Sequence, residues 1–178
     1  MNASVISGSV AVLGDFVSAD VLLPARYSFL PPEEMARNLL TDLSLQANEA
    51  ACRHPVLVVG EAFGYGTGRE SPARALRAAG VKAVVGGPFA RMFFRNAINN
   101  GVLVIDCPAL RAAGLAEGEE IVIDIDAGHI AAKGETFPIA PVPEAVKRII
   151  EAGSLIDYGR MLMAAQNQGG VDAPADGR

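Results

Sequence analysis

Tryptophan is absent, aromatics make up only 6% of the residues, and there are just two cysteines and two histidines. With so few rings, a core has to be built from Val, Ile, Leu and Ala, and 178 residues at 51% hydrophobic supply enough of them for a stable fold. Cys52 and Cys107 lie far apart and do not make a disulfide framework; both read as plain buried thiols. Two thiolates are also too few for an iron–sulfur cluster, which takes about four ligands. His54 and His129 lack metal-ligand spacing, so no metal is expected in this chain. A basic excess is missing too: 15 Lys and Arg face 20 Asp and Glu, a net charge of −5 that argues against a nucleic-acid partner. No apolar run approaches the roughly 18 residues that span a bilayer. The opening MNASVISGSVAVLGDF has no basic segment before an apolar one. Neither a membrane partner nor a secretory signal is therefore expected, and the expected location is cytoplasmic.

What is present is a strand, a bare turn and a helix start. Val56–Val59 is a short β-branched run that reads as a buried strand. It breaks into a turn carrying Gly60, Gly64, Gly66 and Gly68. Ser71 and Pro72 then suit the N-cap and first position of a helix reaching Ala79, with Gly80 as its stop. Val81–Val85 and Val102–Ile105 are further buried strands, with a helix over Phe89–Asn99 between them whose apolar stripe is Phe89, Met92, Phe93 and Ala97. The segment Val56–Ile105 is thus β-α-β-α-β, the pattern of a parallel sheet with right-handed crossovers. Ahead of it, Val5–Leu13 reads as a strand, Asp20–Pro24 as a short apolar run, and Pro32–Leu43 and Leu45–Arg53 as helices. Behind it come a short helix over Leu110–Leu115 and the alternating EIVIDID of Glu120–Asp126. A meander around Gly134 and an amphipathic helix over Pro143–Ala152 follow. The polar tail from Ala164 is expected to be disordered. The expected architecture is one α/β domain over residues 1–163 with a parallel core and an antiparallel portion, followed by a tail, 164–178.

The glycine turn matches neither familiar phosphate fingerprint. It has no Gly-Lys-Ser/Thr, and the G-x-G-x-x-G frames opening at Gly64 and Gly66 end in Arg69 and Ser71. No acid about twenty residues further on is placed for a ribose. Glycines do let a backbone approach a ligand, and a helix start presents free N–H groups and a positive dipole end. Two readings stay open at this level: a site for a carboxylate or phosphate, or a tight strand-to-helix turn. Arg69 tips the balance toward an anion or a buried acid partner, because the dipole opposes a bare cation there. Glu70 is one candidate for that partner, and Thr67 adds a hydroxyl.

Three blocks of sequence resemble the small subunit of 3-isopropylmalate dehydratase, the swivel-domain relative of aconitase. GDFVSADVLLPARY (Gly14–Tyr27) is similar to the family's Gly-Asp-x-x-x-Thr-Asp-x-Ile-x-Pro-Ala-Arg-Tyr. GEAFGYGTGRESPARAL (Gly60–Leu76) is similar to its Gly-x-x-Phe-Gly-Cys-Gly-Ser-Ser-Arg-Glu-His-Ala-x-x-Ala-Leu. PFARMFFRNAINNGVLVI (Pro88–Ile105) is close to its Ser-Phe-Ala-Arg-Ile-Phe-x-Arg-Asn-Ala-x-Asn-Asn-Gly-Leu, and IIEAGSLIDYGR matches the usual C-terminal helix. The resemblance spans about residues 8–160.

It implies a three-layer β/β/α swivelling domain that caps a separate large subunit. That partner carries the 4Fe–4S cluster, so no cofactor is expected in this chain. By position Thr67 stands where the family has its base, a serine ionised to remove the proton α to a carboxylate, and Arg69 stands where an arginine grips that carboxylate. Gly66 and Gly68 on the turn, Asp20, Arg26 and Tyr27 from the first block, and Ser28 and Phe29 from the loop that follows it, are the implied substrate contacts. Thr67-Gly68 replaces Ser-Ser, Ser71 replaces His and Tyr65 replaces Cys, marking a diverged member. The loop after Pro-Ala-Arg, Tyr27-Ser28-Phe29-Leu30, has no Lys or Arg, which suits an alkyl rather than a carboxylate arm on the substrate. The expected function is a hydro-lyase small subunit acting on a 2-hydroxy dicarboxylic acid, with the isopropylmalate reaction of leucine biosynthesis as its leading form. The rival, encouraged by the lost Ser and His, is a non-catalytic module that binds a carboxylate or a partner. A nucleotide-binding domain is the weakest alternative.

Overall fold

The strand Val5–Val12 (β1) sits at the centre of a seven-stranded sheet and takes part in both of its halves. In this computed structural model, which describes residues 4–168, the strand order is β4-β3-β2-β1-β5-β6-β7. The second half of β1 pairs parallel with β2 (Val56–Val58), Val10 opposite Val56 and Val12 opposite Val58. β3 (Ala83–Gly86) and β4 (Leu103–Asp106) extend the parallel half in register. The first half of β1 pairs antiparallel with β5 (Glu120–Asp124), Val5 opposite Asp124 and Ser9 opposite Glu120. β6 (His129–Ala132) and β7 (Glu135–Pro138) complete the meander. The mixed α/β swivelling fold is therefore the one the resemblance implied, with the first strand added as a fourth member of the parallel half.

The two halves bury their strands differently. Val56, Leu57 and Val58 and their neighbours Ala83, Val84 and Val85 are covered on both faces, as parallel strands between helices must be. In β5 only Ile121 and Ile123 are buried while Glu120 and Val122 are exposed, the alternation of a sheet with one wet face.

The helices are α1 (Ala19–Leu22), α2 (Pro32–Arg37), α3 (Leu45–Arg53), α4 (Ser71–Ala78), α5 (Arg91–Asn99), α6 (Pro108–Ala112), α7 (Glu144–Ala152) and α8 (Leu155–Gln168). α2 packs on α4, α5 on β4, and α7 on α8. The short apolar run at Asp20 forms one helical turn, capped by Ser18, whose hydroxyl accepts from the Val21 amide at 3.2 Å. The helix expected over Pro32–Leu43 ends at Arg37. Leu40 takes a φ of 60° and donates its N–H to the Leu22 carbonyl, so a tertiary bond to α1 turns the chain while Leu39 and Leu40 stay buried. Met92, expected on the apolar stripe of α5, is 49% exposed; Phe93 and Ala97 carry the packing. The tail expected from Ala164 begins as helix, because α8 continues to Gln168; residues 169–178 lie outside the described part. Among the described residues no helix is long and apolar enough to cross a membrane.

Candidate active site

The glycine turn leaves the C-terminal edge of β2 and is pinned from two sides. Toward the first block, the Gly60 amide bonds the Gly14 carbonyl at 3.2 Å, the Gly64 amide bonds the Val17 carbonyl at 2.8 Å, and the Ala19 amide bonds the Tyr65 carbonyl at 2.7 Å. Asp15 adds a side-chain clamp: its carboxylate accepts from the Glu61 amide at 2.7 Å and pairs with Arg111 at 2.6 Å. The Glu61 amide first, and Arg111 second, hold that carboxyl below the usual carboxylate range. Toward α5, Phe63 is fully buried and meets Phe93 edge-on, centroids 5.3 Å apart at 81°. Gly64, at φ 77°, leaves no room for a side chain, since a Cβ there would stand 2.2 Å from the Phe93 ring.

This double anchoring brings the first block against the turn and assembles a polar cluster. The Arg69 guanidinium donates from Nη1 to Ser28 Oγ and from Nη2 to Asp20 Oδ1, with a longer contact from Nη2 to the Leu23 carbonyl at 3.4 Å. Its Nε and its own backbone N–H both point at Thr67 Oγ1, at 3.4 and 3.3 Å. Of the five guanidinium N–H groups, one on Nη1 has no protein acceptor among the described residues. Arg69 thus stands in a fixed pose with a hydrogen left for a ligand. The Thr67 oxygen has two donors aimed at it, and donors to an oxygen favour its ionised form.

The acid partner of Arg69 is Asp20, not Glu70. Glu70 Oε1 instead accepts from Asn100 Nδ2 at 2.8 Å. Ser71, expected as the N-cap of α4, is its first residue: Glu70 precedes it in α-helical conformation with no side-chain cap. The Ser71 hydroxyl is directed elsewhere, to Ser28 Oγ at 3.0 Å, because the first block lies directly over the helix start. Gly66 lies beside Asp20, and the Gly68 carbonyl is held by Asn96 Nδ2 at 3.1 Å. Arg26 does not join the cluster. It forms an ion pair with Asp42 and lies over the half-buried Tyr27 ring at 4.5 Å, the Asp42 pairing raising its pKa further. Phe29 is 98% exposed. Asn96 on α5 and Asn100 at its C-cap, one turn apart, are the contributors that the sequence left unassigned. Their signal was present as two asparagines at helical spacing in the third block.

The cluster lies open at the surface. Gly66 and Gly68 are exposed, Thr67 and Arg69 partly so, and the exposed apolar side chains Phe16, Tyr65, Met92 and Phe29 lie on the segments around it. Two cysteines are too few to hold an iron–sulfur cluster by thiolates alone. Among the described residues no three His, Cys, Asp or Glu side chains converge; Cys107 is buried as expected, whereas Cys52, on the outer side of α3, is exposed, its thiol pKa raised by partial burial. What the arrangement offers is a polarised hydroxyl and an oriented guanidinium, two groups that together suit proton transfer beside a carboxylate.

Comparison with known proteins places the whole chain in a family. The family model of the aconitase C-terminal domain matches residues 35–110. The 3-isopropylmalate dehydratase small subunit of Moorella thermoacetica is 38% identical over 157 residues, covering 86% of this chain and 94% of that protein. The corresponding subunit of Sulfurisphaera tokodaii is 34% identical over 168 residues, 93% of this chain and 99% of that one. A crystal structure of 3-isopropylmalate dehydratase from Methanocaldococcus jannaschii superposes with a TM-score of 0.82 at 29% identity, covering 93% and 99% of the two chains. Identity at this level along nearly the whole length, on the same fold, carries one conclusion: the chain belongs to the family of 3-isopropylmalate dehydratase small subunits, the hydro-lyase subunits that work with a large subunit.

Proposed function

We propose that Thr67 is the base of this subunit's reaction and that Arg69 holds the substrate carboxylate next to the carbon that loses its proton. The observation carrying this reading is the convergence of the Arg69 backbone N–H and Nε on Thr67 Oγ1. Both donors strengthen as the oxygen becomes negative, lowering the cost of ionising an otherwise weak acid. The Thr67 oxygen takes the proton α to the carboxylate, the C–H electron pair becomes the new double bond, and hydroxide leaves the neighbouring carbon. Asp20 and Ser28 keep the guanidinium fork oriented throughout.

In this reading a 4Fe–4S cluster held by the large subunit would supply the Lewis acid for the leaving hydroxyl, this chain having only two cysteines. The open turn and its apolar surroundings are what a subunit completed by another chain presents. The substrate class is a 2-hydroxy dicarboxylic acid with an alkyl arm, 2-isopropylmalate and its 3-hydroxy isomer first. That choice rests on the absence of Lys and Arg from Tyr27–Leu30 and on the exposed Phe29 at the third position of the loop. A non-catalytic carboxylate-binding module is the less favoured reading, because the relatives are themselves dehydratase subunits. The site of action is the cytoplasm.

The test is anaerobic co-expression with a cluster-bearing large subunit and assay of enoate formation from 2-isopropylmalate and 2-methylmalate. Thr67→Ala is expected to abolish turnover while the two subunits still co-purify. Wild-type turnover by that variant removes Thr67 from the mechanism.

A further inference from the structure

Asn96 projects from α5 behind the catalytic turn, and its side-chain nitrogen donates to two successive carbonyls, Gly68 and Arg69, at 3.1 Å each. Only the nitrogen of the amide can serve two carbonyls, so its orientation is fixed by these partners. The Gly68 carbonyl and the Arg69 N–H belong to one peptide unit. That unit is trans, the only cis bond being Gly87-Pro88 among the described residues. In a planar trans peptide the C=O and N–H point opposite ways. Holding the Gly68 oxygen toward α5 therefore turns the Arg69 N–H the other way, onto Thr67 Oγ1. Glycine at 68 is the reason this peptide needs an external anchor, since no side chain there restricts its rotation. Asn100, one turn on and buried, completes the brace by binding the Asn96 carbonyl and Glu70.

We propose that Asn96 is a positioning residue for the reaction: it sets the Gly68–Arg69 peptide so that a backbone N–H stabilises the ionised Thr67 hydroxyl. The proposal rests on the assignment of Thr67 as the base. It separates two functions of Arg69. The guanidinium is held independently by Ser28 and Asp20, whereas the amide is held by Asn96. Loss of Asn96 should accordingly weaken proton abstraction and spare substrate binding.

The experiment uses the assembled two-subunit enzyme with 2-isopropylmalate, measuring kcat, KM and the pH dependence of kcat/KM for Asn96→Ala and for the isosteric Asn96→Asp. The expected result for each is a kcat lower by about tenfold or more, in line with losing one aligned donor to a developing oxyanion. KM is expected to stay within about twofold, and the limb of kcat/KM that rises with pH to move upward by roughly one unit. A raised KM with unchanged kcat and pH limb overturns the proposal, as do wild-type parameters in both variants. Failure of both variants to assemble with the large subunit also overturns it, assigning Asn96 to the fold. Thr67→Ala is run alongside. If it retains turnover, the base assignment itself fails; if it is inactive while the Asn96 variants behave as wild type, only the positioning role fails.

Discussion

Gly64 offers the sharpest test of how the turn is held, because one methyl group there meets two separate obstacles. Its φ of 77° is a region that costs an L-residue about 1 kcal/mol. A Cβ built on it would also lie 2.2, 2.5 and 2.6 Å from Cγ, Cβ and Cδ2 of Phe93, about 1 Å inside the roughly 3.5 Å at which carbons pack. Phe93 has little freedom to retreat. It is buried, edge-on to Phe63 and stacked on Phe89 at 6.3 Å. Nor can the turn move easily, since the Gly64 amide is bonded to Val17. Overpacking of this kind costs about 1–3 kcal/mol, so Gly64→Ala should destabilise the chain by about 2–4 kcal/mol in all. Gly66→Ala is the comparison. Gly66 has a φ of 99°, but a Cβ would find Asp20 Oδ2 at 3.5 Å and Ser18 Cβ at 3.9 Å, ordinary contacts, leaving about 1 kcal/mol of strain alone. Urea unfolding followed by circular dichroism measures both. With a slope of roughly 2 kcal/mol per molar, the midpoint for Gly64→Ala should fall by about 1–2 M and that for Gly66→Ala by about half a molar. Equal losses in the two variants, or none at Gly64, would refute the argument that Phe93 is the obstacle.

Two further outcomes follow from the same geometry. Asp20→Ala removes the acid that holds Arg69; stability should change by less than about 1 kcal/mol because the pair is partly exposed, while KM for 2-isopropylmalate in the assembled enzyme should rise about fivefold. An unchanged KM would mean that Ser28 and the Leu23 carbonyl suffice to orient the guanidinium. Asp15 has a carboxyl held below its ordinary 3.8, so its contribution is complete above that value and is lost as the pH falls through the lowered one. Unfolding midpoints measured between pH 6 and pH 2 should therefore drop more steeply below about pH 4 for the wild type than for Asp15→Asn, and parallel curves would count against the clamp.

The residues that were legible and those that were not divide along a physical line. Val56–Val59 and Val81–Val85 announced themselves as buried strands, found as Val56–Val58 and Ala83–Gly86, because a strand covered on both faces needs a near-continuous apolar run. Leu45–Arg53 was legible from its own composition, bounded by Ser44, whose hydroxyl accepts from the Ala47 amide. The stop of α2 at Arg37 was not, because it depends on a bond from Leu40 to Leu22, a residue in another element. Ser71 shows the same limit: a serine before a proline is a sound cap locally, yet its hydroxyl is claimed by Ser28, 43 positions away. Asp20 displaced Glu70 as the partner of Arg69 for the same reason, being remote in sequence and adjacent in space.

Sequence alone determined the class of the fold, the position of the glycine turn and the identity of the hydroxyl and guanidinium it carries, since these depend on local backbone freedom and on the chemistry of single side chains. Only the tertiary structure decided how those groups are aimed. The Arg69 amide is turned onto Thr67 by an asparagine on another helix, and its guanidinium is locked by an aspartate of the first block and a serine just after it. Direction belongs to the packing of distant segments, and no spacing along the chain encodes it.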